Sequence, residues 1–168
     1  MKNSYHKAFI GIPKKYTKCN MDIYDTLNNI NFKQVLNLTT NIPIIFYLSG
    51  SAGFTKGETY RKWIVKNTNC IFFSPNTLEI TNRPFYNDNS SIEQYEKVHN
   101  IRQKEISFNI KKLLEFSWIN KNKIFLMGNS EGALAAGIYK DYNFCARLLL
   151  AWNCQAGYYK KIVKIWLI

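Results

Sequence analysis

Lys123-Ile-Phe-Leu-Met-Gly-Asn-Ser-Glu-Gly-Ala-Leu-Ala-Ala-Gly-Ile-Tyr139 decides how the rest of the chain is read. A short apolar run ends in Gly128-Asn-Ser-Glu-Gly132, and a small-residue segment with helical character follows at once. This is the strand–turn–helix setting in which G-x-S-x-G forms a nucleophile elbow. The serine of such a turn sits on strained backbone, and side chains at the flanking positions would collide with the packed strand and helix. Ser130 is therefore a candidate nucleophile. The bland alternative is a plain turn serine.

Working outward, Ile44-Ile-Phe-Tyr-Leu48 is a continuous apolar run, which suits a parallel strand covered on both faces. It leads into the small-residue loop Ser49-Gly-Ser-Ala-Gly53. Thr55-Lys-Gly-Glu58 has the S/T-x-x-E form of a capping box, and the helix it opens is expected to reach Asn67, with Tyr60, Trp63 and Ile64 on one stripe. Asn69 to Pro75 reads as a second buried strand stopped by proline. Strand, loop, helix, strand makes a βαβ unit and a parallel sheet.

A long loop follows, from Asn76 to Ser90. Ser91 then caps a helix whose stripe Ile92, Tyr95, Val98, Arg102, Ile106, Ile110, Leu113 and Leu114 runs to about Phe116. Arg102 interrupts that stripe, which points to a structural ion pair with a carboxylate rather than to catalysis. After the elbow, a helix from about Gly132 to Tyr139 and a fourth buried strand, Arg147 to Trp152, are expected. Upstream, Met21 to Leu27 reads as a short helix and Phe32 to Leu38 as an edge strand. With no internal repeat or linker, residues 1–168 read as one domain, partial at its C-terminal end, with an atypical tail over 158–168.

Composition narrows the possible functions. Of 168 residues, 46% are hydrophobic, enough for a real core. The net charge of +12 admits an anionic partner. The chain shows no arginine stripe and no aromatic–basic interleave, however, so lysines scattered over solvated faces are the favoured explanation and no specific nucleic-acid partner is expected. Cys19, Cys70, Cys145 and Cys154 form no C-x-x-C pair, and there are two histidines, so neither a zinc site nor another cofactor is expected. The N-terminus lacks the apolar core of a secretory leader and no run is long enough for a bilayer, so a cytoplasmic protein without a membrane partner is expected.

Tyr47-Leu-Ser-Gly-Ser-Ala-Gly53 after the first core strand and Gly128-Asn-Ser-Glu-Gly132 at the elbow together resemble an α/β-hydrolase of the dienelactone-hydrolase-like branch, from about Pro43 to Cys154. The resemblance implies an α/β fold: a mostly parallel sheet with helices on both faces, its last strands missing. It also implies that Ser130 attacks an ester, lactone or similar acyl group of a small molecule. The N–H of Glu131 and that of Ser51 would form the oxyanion hole. Many relatives carry His-Gly where this chain has Ser49-Gly50, a difference a backbone donor does not feel. Dienelactone hydrolase uses cysteine as nucleophile, so a serine points to the wider esterase and peptidase relatives. The Glu131 side chain reads either as a pocket-lining carboxylate or as a helix cap.

A serine needs a base oriented by an acid, and this fold orders them Ser, then Asp or Glu, then His. After Ser130 the acidic residues are Glu131 and Asp141, and no histidine follows. His99 lies close to the stripe of the long helix and reads as a structural histidine. The expectation is a chain cut short, with the Trp152 strand as an exposed edge, inactive or weak alone. A complementing C-terminal chain or a homo-oligomer is a possible partner. Two alternatives stand beside it: a complete hydrolase using His99 or a partner's base, and a non-enzymatic basic protein that binds an anionic partner.

Overall fold

The computed structural model describes residues 1–37, 41–54, 57–87 and 89–151. Six strands form one sheet: β1 Phe9–Ile12, β2 Ile23–Thr26, β3 Ile42–Leu48, β4 Ile71–Ser74, β5 Ile119–Asn129 and β6 Ala146–Leu150. Their order is β2-β1-β4-β3-β5-β6. β1 runs antiparallel to both its neighbours, whereas β4, β3, β5 and β6 are mutually parallel. This is the mostly parallel sheet that the sequence implies.

Alternation along each strand sorts the side chains into two layers. Ile44, Phe46, Leu48, Ile71, Phe73, Ile124 and Leu126 enter one core, together with Ile106, Ile110 and Leu113 of α4 (Ile92–Leu113) and Ala135 and Ala136 of α5 (Glu131–Ile138). Tyr47, Phe72 and Met127 point the other way and pack on Ile64 and Val65 of α3 (Glu58–Asn67). Both faces are therefore covered, as parallel strands require. The hydrogen bond from the Gln94 N–H to Ser91 Oγ, 3.3 Å, caps α4 as expected.

Adjacent strands β3 and β5 send their following helices to opposite faces of the sheet. Such a switch point opens a crevice beyond the carboxyl ends of the strands, where ligands bind in open α/β sheets. The Ser49–Gly53 loop and the elbow both lie at that end.

The N-terminal segment departs from expectation. Met21 to Leu27 contains strand β2 and the start of a 3₁₀ turn, Leu27–Asn29, instead of a helix. The pairing of Ile23 to Thr26 with β1 overrides their local preference. Phe32–Val35 is a short helix, α2, instead of an edge strand. Phe32, Val35 and Leu36 have the i, i+3, i+4 spacing of a helix face, and buried Leu36 bridges to Thr17. The short helix α1, Lys2–His6, and β1 are additions to the reading. α3 begins at Glu58 behind Gly57, whose φ of +88° takes the N-cap position that the capping box had given to Thr55. Thr55 lies outside the described residues. β6 ends at Leu150, so Trp152 and the tail 158–168 are likewise outside them. Among the described residues β6 is an edge strand, with Leu148 52% exposed.

Phe46 is fully buried and meets Phe73 edge-on at 5.5 Å. Phe46→Ala is expected to lower unfolding free energy by about 3–5 kcal/mol, read as an earlier urea midpoint. A change below about 1 kcal/mol would contradict this packing.

Candidate active site

β5 delivers Ser130 to the surface and α5 starts at the next residue. Ser130 holds φ +52° and ψ −118°, backbone that a residue with a Cβ rarely adopts. The flanking glycines make the conformation possible. A Cβ on Gly128 would lie 2.2 Å from the Gly132 carbonyl oxygen, and one on Gly132 would lie 2.2 Å from the Leu48 carbonyl oxygen. Strand, turn and helix are pressed so closely that no side chain fits between them.

The same closeness brings the β3 loop to the serine. A Cβ on Gly50 would stand 3.4 Å from Ser130 Cβ. The Gly53 N–H closes a turn onto the Gly50 carbonyl, 3.0 Å, with Ser51 exposed inside it. Ser49 is 2% exposed, so its hydroxyl is not presented to the surface. The N–H of Glu131 belongs to the first turn of α5, where backbone donors lack intrahelical partners. The two regions named as oxyanion donors are thus neighbours of Ser130, and the helix N-terminus adds a favourable dipole for a developing anion.

The Glu131 side chain turns inward and is neither a pocket wall nor a simple cap. Its Oε1 meets Arg83 Nη2 at 2.5 Å and Arg102 Nε at 3.4 Å, with all three side chains buried. Arg102 also meets Glu105 Oε2 at 2.7 Å through Nη1 and donates from Nη2 to the Ser49 carbonyl at 2.8 Å. Ser4 Oγ donates to Glu105 Oε1 at 2.7 Å, and Arg83 Nε donates to Thr77 Oγ1 at 3.2 Å. Two guanidinium and two carboxylate groups balance beneath the elbow. The structural role expected for Arg102 is seen, but with two carboxylates instead of one. Sequence reading missed Arg83, Glu105 and Ser4. The i, i+3 spacing of Arg102 and Glu105 on one helix was a usable signal. Arg83 in a loop and Ser4 near the N-terminus carried none.

His99 is 1% exposed, with its ring 6.0 Å from that of Tyr86. Burial holds its pKa below the ordinary 6.5; Glu131 pulls the other way and Arg102 adds to the depression. Burial likewise pushes Tyr86 up to about 12 and raises Glu105, against the pull of Arg102. Asp141 is exposed beyond the C-terminal end of α5, a helix about 12 Å long that begins beside Ser130.

A histidine that stays neutral when folded stabilises the protein above its unfolded pKa, and that contribution fades as pH falls through the folded value. Glu105, shifted up, acts in the opposite sense and gains as pH falls. Comparison with His99→Gln isolates the histidine. The urea midpoint of the parent chain should fall relative to the variant as pH drops below about 6.5. Parallel pH profiles would refute the burial effect. Gly132→Ala should abolish cooperative unfolding or cost more than about 3 kcal/mol, because backbone must move to admit the methyl group. A near-neutral change on calorimetry would show that the turn has slack.

No family model and no curated protein matches the chain. Among solved structures it is similar to the CE1 ferulic acid esterase AmCE1/Fae1A of the anaerobic fungus Anaeromyces mucronatus in the absence of substrate. Identity is 16% and TM-score 0.44, over 77% of this chain and 52% of that one. The same esterase in complex with ferulic acid matches at 14% identity and TM-score 0.41, over 77% and 51%. The chain spans about half the length of these structures, so the functional reading rests on the geometry of the elbow itself.

Proposed function

We propose that this chain carries the nucleophile and oxyanion-hole part of a serine hydrolase acting on an ester, lactone or similar small acyl substrate. The observation that carries the reading is Ser130 at φ +52° between two glycines that admit no side chain, beside the Gly50 loop. In the reaction, Ser130 Oγ attacks the acyl carbon and the former carbonyl oxygen becomes an oxyanion. The N–H groups of Glu131 and Ser51 are the donors assigned to it. Collapse of the adduct breaks the acyl C–O bond, the leaving alkoxide takes up the proton that Ser130 gave up, and water then cleaves the acyl-enzyme to the acid and free Ser130. The finer placement in the dienelactone-hydrolase-like branch rests on Tyr47–Gly53 and Gly128–Gly132 alone.

The base is the open step. No histidine follows Ser130 in the sequence, and His99 is buried, with its basicity depressed mainly by that burial. The chain alone is therefore expected to turn over short acyl esters slowly, within the residual range of about 10³–10⁴ over water that survives loss of a triad. A fluorophosphonate probe should label Ser130 and leave Ser130→Ala unlabelled. Added imidazole should raise the Ser130-dependent part of p-nitrophenyl acetate hydrolysis by supplying a base. Fast turnover lost in both Ser130→Ala and His99→Ala would identify His99 as the base. Absence of any Ser130-dependent labelling or turnover, with imidazole present, overturns the proposal.

A further inference from the structure

Arg102 lies on α4 with its side chain fully buried. Its guanidinium spends its three edges on three different elements. Nη1 meets Glu105 one turn along its own helix, at 2.7 Å. Nε meets Glu131, the residue after the nucleophile, at 3.4 Å. Nη2 donates to the carbonyl of Ser49, the first residue of the β3 loop, at 2.8 Å. The Ser49 contact has hydrogen-bond geometry, whereas Nη1 and Nε hold their carboxylates as close charge pairs without it. A rigid planar guanidinium still spaces the three groups, which an ammonium on a flexible stem does not.

The two contacts outside α4 fall on the two backbone segments assigned to the oxyanion hole. Ser49 precedes Gly50, which faces Ser130 Cβ, and Gly53 closes the turn that contains Ser51. Glu131 carries the other donor on its own N–H. It is clamped from the far side by Arg83, itself held by Thr77 Oγ1 and by the Pro84 carbonyl, 3.2 Å each. A peptide whose carbonyl is held has its plane constrained: holding the Ser49 carbonyl fixes the Ser49–Gly50 peptide, which leads directly into the turn that carries the Ser51 N–H. Oxyanion donors act through such fixed aim, because nothing has to reorganise as charge develops.

We infer that Arg102 is a positioning residue. It ties the Ser49 carbonyl to the Glu131 carboxylate and so sets the spacing of the two oxyanion donors. Glu105, which accepts from Ser4, holds the guanidinium in turn, and Arg83 holds Glu131. The inference deepens the hydrolase reading and rests on it for its meaning, although the geometric part can be tested without activity.

The experiment compares the full chain with Arg102→Lys, which keeps a positive charge between the carboxylates and removes the fork. Amide hydrogen exchange of Gly53, read by NMR, is the first measurement. In the variant it should speed up by about tenfold, the weight of one hydrogen bond to a charged group, relative to Ile106 and Ile110 on α4. The rate of fluorophosphonate labelling at Ser130 should fall by about the same factor or more. Equal acceleration of Gly53 and the α4 amides would show that Arg102 serves the fold and nothing else, which overturns the inference. So would an unchanged Gly53. Should the variant not fold, the unsubstituted chain decides: a tied loop gives Gly53 protection close to that of the α4 amides, and near-free exchange of Gly53 overturns the tie. A chain that never labels at Ser130 sinks the hydrolase reading while leaving the exchange result to judge the tie.

Discussion

Glu131 Oε1 is shared by two buried guanidinium groups, and most of what surrounds the elbow depends on that arrangement. A carboxylate taken out of water must be paired or it will take up a proton. Here the pairing draws in Arg83 from the long loop, Arg102 from α4 and, through Arg102, Glu105 and Ser4. The four charges sum to zero, so the basic surface of the chain has no counterpart below the site. Removal of any one of the four charged members would leave an uncompensated charge, which is far more costly than replacing the whole set by apolar residues. Segments far apart in sequence thus share one electrostatic condition.

The loop from Asn76 to Ser90 takes its course from the same condition. Arg83 is reached only if the chain folds back over the start of α4, and that path is pinned again by Gln94 Nε2 donating to the Phe85 carbonyl and by the Tyr86–Tyr95 ring pair at 4.3 Å. A long loop in a compact domain is usually functional. In this one, polar residues anchor the loop beneath the serine, while Phe85 and Leu78 stay largely exposed on its outer side.

What could be read from the sequence follows from how local each signal is. The strands at Ile44–Leu48 and Ile71–Ser74, helix α3 up to Asn67, the long α4 and the elbow are written in runs of neighbouring residues, and they appear within a few positions of expectation. β1 is four residues with a glycine inside, and it becomes a strand by lying between β2 and β4. Nothing in Phe9-Ile-Gly-Ile12 announces that neighbourhood. The helix at Phe32 was misread because four residues satisfy both a period of two and a period of 3.6 for part of their length. In the site, the backbone motif was legible because glycine spacing is a local pattern. The charge network was not, because its members lie on four separate stretches and only distance brings them together.

The elbow also divides its demands unevenly between backbone and side chain. Gly128 and Gly132 are held by the carbonyl groups packed against them, with no latitude for even a methyl group. At position 130 the strain comes from carrying a Cβ at φ +52°, and every L residue other than glycine incurs it in similar measure. Ser130 is exposed, and its side chain makes no capping hydrogen bond to α5. The fold therefore specifies where the side chain at position 130 stands and leaves its outer atom open. By backbone demand alone, a serine and a cysteine would be equivalent at this one point, so the turn could exchange that single side-chain atom without being rebuilt.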